Sequence, residues 1–192
     1  MTDRERVLAH LRQGSNAAID FRWAEFSGMS LEDGKLKNAD LSYANLSEVN
    51  LKNADLSLAN LTKSNLRESN LSGAVMNYAN LSHANLEHAN LQGCELEGAN
   101  LTGANMEFSD LKDAVMVGAK LDGVSLKLAK LRGVNLSKAT LKNANLQHAN
   151  LQGANLQGAN LEGANLEFAD LKDANLKDAN LKNANLVHTY KV

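Results

Sequence analysis

The chain has 192 residues, a formal net charge of −2, no proline and one cysteine. So small a total charge announces neither a nucleic-acid binder nor an acidic mimic, and a single thiol excludes an internal disulfide. No apolar run is long enough for a secretory leader or a membrane span, so one cytoplasmic domain is the expectation at this length.

The first residues differ from the rest of the chain. Thr2 with Glu5 fits a capping box. Arg4 to Gln13 are good helix formers with Val7, Leu8 and Leu11 on one side, and Gly14 fits a helix stop. This predicts a short helix over residues 3–13, within an N-terminal cap and lead-in of residues 1–18. Trp23 falls just beyond and is expected at the junction between the helix and the body of the chain, rather than as a ligand platform.

From Phe21 to Leu186 an apolar centre recurs every five residues without insertion or deletion. There are 34 centres, of which 29 are Leu, and Phe21, Phe26, Met76, Met106 and Met116 are the others. Two residues before each centre stands a small residue, Ala in 24 phrases, and between them Asn or Asp, also in 24. Self-similarity of this kind decides the architecture before local propensity does.

A period of five fits no ordinary element. In a straight strand, residues five apart face opposite sides. In an α-helix each step of five turns the centre by about 140°. A chain that bends once per phrase keeps every centre inside, with the small residue beside it, and stacked coils then bury a continuous core. Four phrases per coil are favoured by recurrences at intervals of twenty: His88, Phe108, Leu128, His148, Phe168 and His188. The repeat spans residues 19–188 and leaves 189–192 as a tail. It degrades between Val115 and Thr140, where Val115, Lys120, Ser125, Lys130 and Thr140 replace Asn or Asp.

The phrases Ala39-Asp40-Leu41-Ser42-Tyr43 and Ala154-Asn155-Leu156-Gln157-Gly158 resemble the A(D/N)LXX repeats of the pentapeptide-repeat family. The lead-in, with Phe at the first centres, resembles bacterial and especially cyanobacterial members. The resemblance implies an all-β fold: a right-handed quadrilateral parallel β-helix of about eight and a half coils, about 40 Å long at ~4.8 Å per stacked strand, with a short N-terminal capping α-helix. It also implies end-to-end homodimerisation through the C-terminal coil, as in many members.

No constellation for catalysis is present. There is no Cys-x-x-Cys, His-Glu-x-x-His, phosphate-binding glycine loop or Gly-x-Ser-x-Gly. His88 and His148 are three coils apart, roughly 14 Å, which is too far to share a metal. Cys94 occupies an inward small position and reads as a substitute for Ala. The Asn and Asp residues read as structural, bonding the backbone at bends and stacking as ladders. No enzyme, cofactor or metal is therefore expected.

Function must then lie on the outward surface. Grouping residues by twenty collects Glu48, Glu68, Glu87, His88, Glu107, Phe108, Leu128, His148, Glu167 and Phe168 along one side. This strip combines apolar groups with acids and is a candidate face for a protein partner. Lys120, Lys127, Lys130, Arg132, Lys138 and Lys142 form a candidate basic belt, next to an acidic belt between Glu68 and Asp113. Three readings are open. The first is a non-catalytic interaction or regulatory scaffold. The second is a DNA mimic that binds DNA gyrase or topoisomerase, as some family members do. The third is a purely structural repeat. The basic belt and the lack of a projecting loop count against the second. Neither direct nucleic-acid binding nor membrane attachment is expected.

Overall fold

Residues 2–13 and 19–190 are described by the computed structural model. The repeat unit is best understood from where its backbone N–H groups go. In the phrase Asp40 to Ala44, Asp40 N donates to Ile19 O (2.8 Å) and Leu41 N to Asn60 O (2.7 Å). Tyr43 N donates to Thr62 O (2.9 Å), and Ala44 N closes the turn on Leu41 O (3.1 Å). The fifth, Ser42 N, has no backbone acceptor and is taken by the Asp40 side chain, Oδ1 at 3.0 Å. All five donors are thus satisfied, and the Asn or Asp of each phrase is there because it holds the fifth.

The turn sets a second requirement. All 34 residues two positions after a centre have positive φ, eleven of them glycine and 23 not. Type II turns impose this left-handed backbone on their third residue. Asn and Asp tolerate it and glycine adopts it freely.

Every bridge joins residues twenty apart in parallel, from Asp20 with Asp40 to Asp170 with Tyr190. Four phrases therefore make one turn of the chain, and the solenoid ladder runs two residues into the segment expected as a tail. The Asn side chains stack along the axis as well. Asn65 Nδ2 donates to Asn45 Oδ1 (3.3 Å), Asn85 to Asn65 (3.4 Å) and Asn105 to Asn85 (3.3 Å). The core is the column of centres and small residues, buried from Leu31 to Ala169, with Met29 below it only partly buried. Ser64 and Ser109 enter it because each hydroxyl donates to the carbonyl of the preceding centre, Leu61 and Met106, at 2.8 and 2.7 Å. Toward the C-terminus Leu176, Leu181 and Leu186 are only partly buried.

The cap forms as expected. The single helix among the described residues is α1 (Asp3–Gln13). Thr2 Oγ1 accepts from Glu5 N at 3.3 Å and Glu5 Oε2 from Thr2 N at 2.8 Å, which is a reciprocal capping box. Val7 is buried, Leu11 packs against the core, and His10 meets the edge of Phe21 with ring centroids 6.3 Å apart. Arg4 and Arg6 donate to the carbonyls of Ser27 and Asp20, so the helix also binds the open backbone of the first coil. Leu8 corrects the expectation: it is 38% exposed, because the face that turns inward is Val7, His10 and Leu11. Gly14, the expected helix stop, lies outside the described residues.

Candidate interaction surface

The strip is a physical ladder. Residues two positions after a centre stand at the coil corners, and those twenty apart sit directly above one another. His88 stacks on Phe108 with centroids 4.8 Å apart and planes 10° off parallel. His148 stacks on Phe168 at 4.9 Å and 1°, and Phe168 on His188 at 4.7 Å and 19°. Leu128 fills the rung between the two stacks. Phe108, Leu128 and Phe168 remain about 40% exposed, since stacking covers ring faces and leaves the edges outward. All three have φ near +60°. For a bulky residue this backbone is a genuine outlier, costing about 1–3 kcal/mol where glycine costs almost nothing.

Glu87, Glu107 and Glu167 stand beside the ladder in the other corner column, with Arg67, Lys127 and Gln147 in the rungs between and around them. Glu107 accepts from Ser125 Oγ at 2.8 Å and Glu167 from Gln147 Nε2 at 2.9 Å. Arg67 lies 2.6 Å from Glu68 and 3.5 Å from Glu87. His88 Nε2 is 3.7 Å from Glu87. Glu48 and Glu68 continue the ladder's own column toward the N-terminus and are exposed.

The basic residues do not converge. Lys120, Lys130, Arg132, Lys138 and Lys142 are exposed and Lys127 half-buried, and they occupy different columns around the solenoid. Lys130 pairs with Asp110 (3.6 Å) across the boundary between the belts, and Lys142 with Glu162 (4.0 Å). In this region Val115, Lys120, Ser125 and Lys130 deprive four successive phrases of the Asn or Asp that holds the fifth N–H. At two other losses, Glu95 and Thr140, the amide is served from the coil below: Glu97 N donates to Asn77 Oδ1 and Lys142 N to Asp122 Oδ1, both at 2.9 Å. Asn77 and Asp122 were not singled out by sequence. Their signal is an Asn or Asp one residue after the centre, twenty residues before the amide it serves.

Trp23 is a second correction. It is 67% exposed and stacks on Tyr43 with centroids 4.2 Å apart, with the Lys63 ammonium 5.5 Å from the Tyr43 ring. It belongs to a corner ladder and not to the helix junction. Cys94 is buried in the core, and burial pushes its thiol up to about 12, which removes the thiolate a reactive cysteine needs. Among the described residues no group of three or more His, Cys, Asp or Glu could hold a metal ion. No helix among them is long and apolar enough to cross a membrane.

The sequence model for pentapeptide repeats matches in eight copies, over overlapping segments from residue 19 to 187. The chain belongs to the pentapeptide-repeat family. Its solenoid is accordingly a right-handed β-helix with one short helix. Among solved pentapeptide-repeat proteins it is similar to HetL of the cyanobacterium Nostoc, with 33% identity over 97% of this chain and 93% of that one and a TM-score of 0.54. HetL is described as involved in regulating heterocyst differentiation. A second, QnrB1, is described as a plasmid-mediated fluoroquinolone resistance protein. It has a TM-score of 0.71 over 91% and 92% of the two chains, and 17% identity, a likeness in fold alone. A comparison with curated proteins found no match.

Proposed function

We propose that this pentapeptide-repeat protein is a non-catalytic interaction scaffold, a four-sided rod of about eight and a half coils that presents the corner strip around Phe108, Leu128 and Phe168 to a protein partner. One observation carries the reading. Large apolar residues stand on left-handed backbone at an exposed corner, a place where Gly or Asn would cost less in both strain and exposed apolar surface. Folding gains little from them, so binding is the remaining use. Regulation by HetL, its relative at 33% identity, supports the same class. The test is capture of partners from the source cell by the wild type and by a variant with Phe108, Leu128 and Phe168 changed to Ser. Loss of specific partners is expected, and an unchanged partner set would remove the strip from consideration.

The gyrase-binding alternative requires an acidic surface along the rod. Arg67 and Lys127 stand within the corner's own column and break its acids into short runs. Supercoiling by gyrase is expected to be unaffected by the protein at micromolar concentration, and inhibition there would favour the alternative.

A further inference from the structure

The corner that carries the strip is charge-complementary to itself read in the opposite direction. Its first column runs Arg67, Glu87, Glu107, Lys127, Gln147, Glu167, and its second has Phe108 and Leu128 at the centre. Resting on the reading of this corner as the interaction site, we propose that its partner is a second copy of the chain, docked corner to corner with the rods antiparallel. The two-fold axis crosses between the rungs of Phe108 and Leu128.

Such an axis places each rung opposite the rung equally far on its other side. Glu107 then faces Lys127 of the second copy, Arg67 faces Glu167, and Glu87 faces Gln147, each contact occurring twice. In the second column Phe108 faces Leu128, His88 faces His148 and Glu48 faces His188. Only Glu68, opposite Phe168, finds no match. No like charges meet.

The register is selective. Moving the axis one rung brings Glu87 against Glu107, or Glu107 against Glu167. Moving it half a rung sets Glu107 or Lys127 against its own copy. A parallel arrangement, with its axis along the rods, sets the first column of one copy against the second column of the other, so that Glu107 meets Phe108, Lys127 meets Leu128 and Glu167 meets Phe168, and these charges lose a charged partner. The apolar pair sits at the centre with the ionic pairs around it, which is the usual anatomy of an interface. A second copy also has the same rung spacing of about 4.8 Å, so the two corners stay in step over their whole length. The present partners of these groups, Ser125 on Glu107 and Glu68 on Arg67, are surface contacts that exchange at little cost. A corner is narrow, so the association belongs with weak interfaces and is sensitive to salt.

Sedimentation equilibrium of the full chain over a concentration series tests this. The wild type is expected to dimerise reversibly and to dissociate as salt is raised. Lys127→Glu and Glu107→Lys are each expected to raise the dissociation constant at least about tenfold, with melting curves unchanged, because each turns two attractive pairs repulsive. Mixing the two variants in equal amounts is expected to restore the dimer, since acid then meets base at both pairs. A monomer at all concentrations overturns the proposal, as does a mixture that stays monomeric. So does a dimer that neither substitution weakens, such as one formed end to end through Leu176, Leu181 and Leu186. A monomer that still captures a cellular protein through Phe108 overturns the second copy as partner and leaves the interaction scaffold standing.

Discussion

Adjacent positions in one phrase obey different physics. Leu126 is a centre, 1% exposed, and Leu128, two residues on, is 41% exposed with φ of +60°. Leu126→Ala is expected to cost about 2–5 kcal/mol through lost burial and a cavity. Leu128→Gly is expected to stay within about 1 kcal/mol of wild type, because relief of the left-handed strain offsets the greater freedom of the unfolded glycine chain. Urea denaturation midpoints of the two variants measure the contrast, and equal losses would contradict it. A second residue-scale prediction concerns acid. The Arg22 guanidinium on the Asp20 carboxylate, 2.7 Å away, lowers its pKa from 3.8 to about 2. A depressed carboxylate stabilises the fold above its unfolded value, and this contribution is lost as the pH falls from near 3.8 through about 2. The Asp20 carboxyl signal in NMR is expected to titrate near the lower value, and Arg22→Ala to move the midpoint upward. The inward residues were legible in sequence because burial restricts those positions to Leu, Ala and close substitutes. Leu8 and Trp23 were misplaced because an apolar side chain announces burial whether or not the backbone turns it inward.

At the scale of the element, the Asn column is the part that sequence explained only in outline. A bend-former and a ladder were both expected; that one Oδ1 serves both depends on which coils are neighbours in the fold. Asn85 Oδ1 accepts from Glu87 N at 3.2 Å and from Asn105 Nδ2 at 3.3 Å. Asn85→Ala therefore orphans a backbone donor and interrupts the ladder, at an expected cost of about 1–3 kcal/mol, and faster hydrogen exchange at the Glu87 amide would report it. Unchanged exchange there would assign the column a lesser role. The capping box of α1 was readable because its two residues lie three apart in sequence. The bonds of His10 to Lys35 O (3.2 Å) and of Arg4 to Ser27 O (2.9 Å) were not, since nothing local marks which distant carbonyl a first coil leaves open.

At the scale of the whole molecule, stability accumulates coil upon coil. Removing residues 146–165, which is one full coil joined again at Asn145 and Leu166, is expected to leave a cooperatively folding rod one coil shorter. Its melting temperature should fall by no more than a few degrees for each kcal/mol of stacking lost. Collapse to an unfolded chain would show that this segment carries more than its share. The corner strip proposed as the interaction site was legible as a recurrence at twenty, yet its self-complementarity rests on the bridges that establish which rungs are neighbours.

The unbroken twenty-residue register gives the surface an address system that the core cannot read. A deletion of five residues, such as 156–160, removes one complete phrase and leaves every remaining phrase intact, so the interior closes as before. Every outward residue beyond the cut nevertheless moves by one side of the rod. His148 would lose Phe168 from the rung above, and the stacked strip would split between two corners. Gains and losses of twenty conserve the pattern on the outside, and those of five scramble it. A lineage of such chains can thus change length by whole coils and keep its outward pattern, while a single phrase gained or lost rewrites that pattern and spares the fold.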